Sequence, residues 1–202
     1  MFNARAYTLL TPPALEPVAL ADVKTYLRID GNEDDGLMSM LIKSARRMGE
    51  EYTKRSFITQ KWRLTMDSFT AECSVPGLPP YLSAGMRAIA LSRGPIQEIS
   101  SIATTNSGNV AAPVPAATYT LADNEILLNE GQSWPTSLRD RAAVAIEFVA
   151  GWESAEEVPE PIRQGILQHV AASYSNKVCA EIPEGAKALY DPFRAAGAFG
   201  AY

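Results

Sequence analysis

An acidic loop beginning at Asp30, DGNEDDG, holds the residues best suited to metal binding. Its acidic and amide side chains recur at alternate positions, Asp30, Asn32 and Asp34, like the oxygen ligands of an EF-hand calcium loop. Such a loop also requires glycine at its sixth position and glutamate at its twelfth, where this chain has Asp35 and Leu41. The sequence therefore favours another role, in which Asp34 or Asp35 caps the next helix and the carboxylates complement its dipole.

Nucleophilic catalysis of the Ser-His-Asp or Cys-His type would have to use His169, the only histidine of the chain. His169 lies in the middle of a predicted helix, and the sequence contains neither a G-x-S-x-G turn nor a phosphate-binding glycine loop. Cys73 and Cys179 are too far apart in sequence for a CxxC redox pair or a zinc-site spacing. They are predicted to be two unrelated thiols in a reducing compartment.

A pair of carboxylates is the catalytic arrangement that the residues alone leave open, because such groups can meet in space from distant positions. Glu147 and Asp123 both lie in a region of predicted strands and are the candidates for such a pair. The enzyme would be a hydrolase acting on cell-wall or nucleic-acid substrates. No motif supports this alternative, so we predict a protein without catalytic site, cofactor or metal.

Composition and charge narrow the class of protein further. The chain has 202 residues, of which 47% are hydrophobic and 20% charged, values that suit a globular protein with a core of its own. Its net charge is −5 and no cluster of four or more Lys or Arg occurs, which argues against tight binding of nucleic acid through phosphates. Apolar runs fall far short of the roughly 18 residues of a membrane span.

Three amphipathic helices are predicted from the spacing of apolar residues. The first two flank the acidic loop, in PVALADVKTYLRID and LMSMLIKSARRMGEEYTKRSF, and the third lies in VPEPIRQGILQHVAASYSNK. Their apolar stripes are Leu20, Val23 and Leu27 in the first, Leu37, Leu41, Ala45, Met48 and Tyr52 in the second, and Ile162, Ile166, Val170 and Tyr174 in the third. Each stripe needs a partner, and the third helix is the natural partner for the other two.

Strands are predicted between the second and third helices. In ITQKWRLTMDSF, Trp62, Leu64 and Met66 alternate with polar residues, as in a half-buried strand. Further strands are predicted in AIALSR, IQEISSIATT, TYTLADN, EILLN and RAAVAIEFVAGW, with a tight turn at Asp123-Asn124. Two stretches rich in Gly, Pro and Ala, 71–85 and 106–117, are predicted to be exposed loops.

This order of elements predicts an α+β fold. Its simplest form is a bundle of three or slightly more helices with a β-rich lobe inserted between the second and third long helices. Residues 1–58 would form an extended N-terminal arm and two helices, 59–152 the lobe, 153–186 the third helix, and 187–202 a C-terminal tail. A short helix is predicted near Ala186 to Tyr190. The tail is too poor in aliphatic residues to pack alone. It is therefore either a segment that binds another protein or a frayed terminus.

The residues resemble those of tailed-phage head-tail connector (adaptor) proteins, which gene-transfer agents also carry. The family opens with P-x-x-L-x-x-V-K-x-x-L-R-I, acidic residues, L-x-x-L-I-x-x-A-R-x-x-x-E and a Q-x-W strand, which PVALADVKTYLRID and EDDGLMSMLIKSARRMGEEYTKRSFITQKW match. The later pieces follow in the family's order: LSRGPIQEISSI, Tyr119, AVAIEFVAGW, VPEPIRQGILQHVAASY and LYDPFR. The chain departs from the pattern at Ala19, where Ser or Thr would cap the first helix, and at LSRGP, where relatives usually have a proline after the basic residue.

The resemblance implies a structural protein of a phage-like particle, located in the particle's neck and assembled in the bacterial cytoplasm. Copies would form a ring of twelve beneath the portal, bind the portal protein and a downstream stopper or tail protein, and let DNA pass as cargo, with no role at a membrane. A different neck component, a stopper or a tail terminator, is the nearest alternative.

Two sets of residues become candidate contacts under this resemblance. The ring interface would use charged and polar residues of the second and third helices: Arg46, Arg47, Glu50, Glu51, Arg163 and Gln164. The tail would dock onto the portal through aromatic residues and an arginine: Tyr190, Phe193, Arg194, Phe199 and Tyr202. The simpler interpretation of the paired charges at i and i+4 on the second helix is a solvated face.

Overall fold

A computed structural model describes residues 4–69, 88–176 and 181–195, and the predicted α+β class is confirmed. Within these ranges the elements are β1 (Arg5–Thr11), α1 (Leu20–Leu27), α2 (Asp35–Thr53), β2 (Gln60–Met66), β3 (Ala88–Ala90), β4 (Ile96–Thr105), β5 (Ala111–Pro113), β6 (Tyr119–Ala122), β7 (Glu125–Leu128), β8 (Val144–Ala150), α3 (Glu160–Asn176) and α4 (Glu184–Tyr190). None of the helices described is long and apolar enough to cross a membrane. Cys73, Cys179 and the predicted loop 71–85 lie outside the described residues.

The chain divides into two compact units. A β-rich unit comprises residues 1–12, 60–91 and 96–150 and contains β1 to β8. A helical unit comprises residues 13–59, 92–95 and 151–202 and contains α1 to α4.

The β-rich unit contains a five-stranded antiparallel sheet in the order β1-β2-β8-β4-β5 and a three-stranded sheet in the order β3-β7-β6. The predicted alternation of β2 is confirmed, because Trp62, Leu64 and Met66 are buried while the residues between them are not. The predicted hairpin is confirmed too: Asp123 takes a positive φ of 52° between the paired strands β6 and β7.

Two parts of this unit differ from the sequence-based expectation. Residues 5–11 were predicted to be an extended arm, but they form β1, which pairs with β2 along its length. The ring of Tyr7 in β1 packs edge-on against Phe148, with 6.4 Å between the ring centroids. The stretch 106–117 was predicted to be a loop, yet it contains β5, which extends the sheet beside β4. Both corrections concern the edge strands of the five-stranded sheet, each of which pairs with a single neighbour.

The core of the helical unit lies between α2 and α3, with α1 and α4 packed around them. The predicted stripe of α3 is confirmed at Ile162, Ile166 and Val170, which are completely buried. On α2 the buried stripe consists of Met38, Leu41, Ile42, Ala45 and Gly49. The prediction that Leu37 belongs to this stripe is wrong, since 42% of Leu37 is exposed and Met38 takes its place.

Candidate interaction surfaces

The acidic loop holds the helices together. Lys24 of α1 lies 2.9 Å from Asp35 Oδ1 and also donates to the side chain of Asn32. The hydroxyl of Tyr174 in α3 donates to Asp34, and this hydrogen bond raises the pKa of Tyr174. Asp34 occupies the N-cap position of α2 and Asp35 places a carboxylate in the first turn, as predicted, but the Asp34 side chain makes no capping hydrogen bond. Among the described residues, no group of three or more His, Cys, Asp or Glu could hold a metal ion.

The candidate catalytic carboxylates lie in different sheets. Glu147 is on β8, where its oxygens lie 2.6 Å from Arg63 Nη2 and 2.9 Å from Lys61 Nζ. Hydrogen bonds from Arg63 and Lys61 lower the pKa of Glu147, which suits an ion pair rather than a general acid. Asp123 occupies the turn between β6 and β7 of the other sheet. The structure therefore gives this pair no common site.

Two of the four charged candidates on α2 are internal. Arg46 is only 8% exposed, and it lies 2.7 Å from Glu16 and 2.8 Å from Glu50. Glu50 is 3% exposed, and its second oxygen accepts a hydrogen bond from the backbone N–H of Phe57 at 2.9 Å. Their assignment to an exposed ring interface is therefore corrected, because both side chains are occupied inside the helical unit.

The other two candidates on α2, Arg47 and Glu51, lie on its exposed side. They border a shallow groove of about 560 Å³, lined by Ser44, Arg47, Met48, Glu51, Tyr52 and Ile182. Glu51 lies 2.8 Å from Arg93 and 3.3 Å from Lys54. Burial alone would raise the pKa of Glu51, but the charge and hydrogen bond of Arg93, helped by Lys54, lower it overall. Glu51 is thus an ionised group at the groove's edge.

Of the two candidates on α3, Arg163 borders a second groove, about 310 Å³ in volume. Gln164 is exposed, while Arg163 is half-buried and lies 2.9 Å from Glu160 and 3.9 Å from Asp22. The lining of this groove consists of Val18, Asp22, Thr25, Tyr26, Glu160, Arg163 and Leu167. Asp22 also accepts a hydrogen bond from the N–H of Ala19, which partly replaces the side-chain cap that Ala19 lacks.

Tyr190, the first residue of the predicted docking set, belongs to the core. It is completely buried, and its ring fits between two helical glycines. A Cβ added at Gly165 would lie 2.5 Å from the Tyr190 ring, and one added at Gly49 would lie 3.2 Å from it. The ring also packs on Phe57, 5.7 Å between centroids. Tyr190 is therefore unavailable for docking, and the two glycines were the sequence signal of this close approach.

The residues that follow Tyr190 are attached to the end of α2. The Tyr52 hydroxyl donates to Asp191 at 2.6 Å, and the Arg194 guanidinium lies 5.1 Å from the Tyr52 ring centroid. Arg55 donates to the carbonyl oxygen of Phe193, which is half-buried. Of the predicted docking set, Phe193 and Arg194 thus lie at the surface of the helical unit, whereas Phe199 and Tyr202 lie outside the described residues.

Comparison with protein families gives a match for the N-terminal part of the chain. Residues 17–109 match the family model of the phage gp6-like head-tail connector protein. This range includes α1, α2 and the strands β2 to β4. The match confirms the resemblance found in the motifs of this region. No curated protein matches the chain in sequence.

Solved structures similar to the chain come from gene-transfer-agent (GTA) particles. A chain in the neck of an empty GTA particle computed with C6 symmetry matches with a TM-score of 0.76 and 18% identity, over 97% of this chain and 98% of that one. A chain in the virion of the native particle matches with a TM-score of 0.73 and 19% identity, over 96% and 98%. A chain in the neck of the native particle computed with C12 symmetry matches with a TM-score of 0.65 and 20% identity, over 96% of this chain and 98% of that one. At these identities the matches show a shared fold.

Proposed function

We propose that the chain is a structural head-tail connector (adaptor) of a phage or a phage-like particle such as a gene-transfer agent. The observation that carries the proposal is the fold likeness to chains of GTA necks and virions, which extends over nearly the whole length of both chains. The family match to residues 17–109 agrees with this proposal and rests on sequence, not on the fold. Both comparisons lead to structural components of particles, so no catalytic activity is proposed.

In the proposed assembly, twelve copies form a ring beneath the portal. The matched necks were computed with C6 and C12 symmetry, which supports a ring of this kind. The ring would join the portal protein to a downstream stopper or tail protein, and DNA would pass through it. The net charge of −5 suits a channel for DNA, because a negatively charged protein does not bind the DNA phosphates tightly. Assembly would take place in the bacterial cytoplasm.

We assign different tasks to the two compact units. The helical unit would form the wall of the ring. In sequence, β2 to β8 of the β-rich unit lie between α2 and α3, whereas β1 precedes α1. The β-rich unit would contact the downstream component. A stopper or a tail terminator remains the second candidate, and the order of binding distinguishes them: a connector binds the portal before any other neck protein.

Deletion of residues 196–202 is expected to abolish binding to the portal and to leave the protein folded. The deletion removes Phe199 and Tyr202 but keeps Tyr190 and the contacts of residues 191–195 with α2. Binding is measured by co-sedimentation with portal-bearing capsids, and folding by circular dichroism. The predicted tail, 187–202, is too long for this test because its removal deletes the buried Tyr190.

The full-length variant Phe199→Ala/Tyr202→Ala is the matched control, since it keeps the chain length and removes only the two aromatic rings. We expect it to bind portal-bearing capsids as weakly as the deletion does. Portal binding at the wild-type level by the truncated, folded protein would rule out the docking role of the tail.

A further inference from the structure

We propose that the exposed face of α2 in one copy binds the α1–α3 face of the next copy. The inference rests on the proposed ring and deepens it by naming the two surfaces that meet. A closed ring requires a head-to-tail interface, in which each copy uses two different surfaces. The helical unit offers two grooves that have no lining residue in common, so one copy could use both at once.

The first surface, called here the α2 face, is a second stripe along that helix. It consists of Leu37, Met40, Lys43, Ser44, Arg47 and Met48, which follow the helical spacing of three and four residues. The opposite stripe of α2 is already buried in the core. Leu37 is 42% exposed and Met40 is 60% exposed, one turn apart. Large apolar side chains grouped on an exposed helix face indicate a surface that binds another protein.

The α2 face also carries positive charge. Lys43 and Arg47 are exposed, lie four residues apart, and have no ion-pair partner among the residues described. Most other cations in the described part of the helical unit are engaged: for example, Arg46 pairs with Glu16 and Glu50. Lys43 and Arg47, at the rim of an apolar stripe, are therefore available to pair with carboxylates of another copy.

The second surface, called here the α1–α3 face, carries the complementary charge. Asp22 and Glu160, whose side chains are 49% and 83% exposed, share one guanidinium, that of Arg163. Two carboxylates against one cation leave the groove negative. Tyr26, which is 48% exposed, supplies an aromatic ring at the same groove. Tyrosine and methionine are both enriched in protein interfaces, so this face matches the α2 face in charge and in apolar content.

Like-to-like pairing is disfavoured by the same charges. If two α2 faces met, Lys43 and Arg47 of one copy would approach those of the other, and like charges across an interface are costly. Pairing of two α1–α3 faces would bring Asp22 and Glu160 together in the same way. The head-to-tail arrangement removes both repulsions, and a succession of such contacts builds a ring.

Cross-linking with a short bismaleimide tests whether the two faces meet. Both native cysteines are first replaced, as Cys73→Ser and Cys179→Ser. New cysteines are then introduced into this background as Met40→Cys, Tyr26→Cys, or both. We expect a ladder of trimers and larger species only when both new cysteines are present, because each copy then links to two neighbours. A dimer from Met40→Cys alone would show that like faces meet, and the absence of a ladder from the double variant would overturn the proposal.

Reversing the charges of each face gives a second test, whose result differs from that of misfolding because a misfolded variant would not recover the ladder on mixing. Lys43→Glu/Arg47→Glu and Asp22→Lys/Glu160→Lys, placed in the double-cysteine chain, should each reduce the ladder at least about tenfold. An equimolar mixture should restore it, because alternating copies again place opposite charges at every interface. Restoration also shows that both variants are folded. If the mixture stays as monomeric as its components, the charge pairing is wrong.

A control variant and a binding assay complete the experiment. Glu125→Lys/Glu130→Lys reverses two exposed carboxylates of the β-rich unit and should leave the ladder unchanged. Binding of the wild-type protein to portal-bearing capsids is measured in parallel. A ladder without capsid binding would contradict the connector function alone, whereas capsid binding without a ladder would contradict the proposed interface alone.

Discussion

Replacing Tyr190 with alanine is expected to destabilise the helical unit by about 3–5 kcal/mol, the usual cost of truncating a large buried aromatic residue. The Tyr190 ring is completely buried and fills the space between Gly49 and Gly165, against Phe57. Neither glycine has a side chain that could fill the resulting cavity. The loss is measured by urea denaturation, with hydrogen exchange of α2 and α3 reporting on the helical unit.

Two further variants define the cause of that loss. Tyr190→Phe keeps the ring and removes a hydroxyl that has no hydrogen-bond partner among the described residues, so stability should be equal to that of the wild type or higher. Gly165→Ala should be destabilising, because the added Cβ would lie 2.5 Å from the ring. Wild-type stability of Tyr190→Ala would contradict the placement of α4 against α2 and α3.

Replacing Glu50 with alanine is expected to cost about 3–5 kcal/mol, since it breaks a buried ion pair and leaves the partner charge inside the protein. Arg46 would keep only Glu16, and the N–H of Phe57 would lose its acceptor. The free energy of unfolding is again measured by urea denaturation at neutral pH.

Glu184→Ala is the control for that measurement. Glu184 also pairs with a cation on its own helix, Lys187 at 2.7 Å, but its side chain is 87% exposed. Water already solvates both groups of this pair, so we expect little change in stability. Equal effects of the two substitutions would show that the Glu50 network is not buried as described.

Periodicity was sufficient to predict most of the elements but not which side of α2 is buried. A helix of 19 residues with apolar side chains on several sides offers more than one stripe. Packing against α3 selects the stripe that contains Met38 and leaves Leu37 and Met40 exposed. The strand β1 was missed because the hydrogen bonds that define it come from β2, far away in sequence. The strand β5 was missed because its 3 residues, Ala-Ala-Pro, are too few to show an alternating pattern.

The candidate interaction residues were predicted less well, because burial depends on tertiary contacts. Arg46 and Glu50 have the spacing of a surface pair, and only the positions of Glu16 and Phe57 bring them inside. Tyr190 lies two residues before Pro192, in a segment poor in aliphatic residues, as in a free tail. Its role follows from Gly49 and Gly165, two glycines within helices that allow the close approach of a ring.

The connector function is tested most directly by electron microscopy of portal-bearing capsids mixed with the full-length protein. We expect added density at the single portal vertex, in the form of a ring with the cyclic symmetry of the neck and with the helical unit in its wall. Portal vertices that remain bare at saturating protein concentration, with the protein recovered as free monomers, would contradict it.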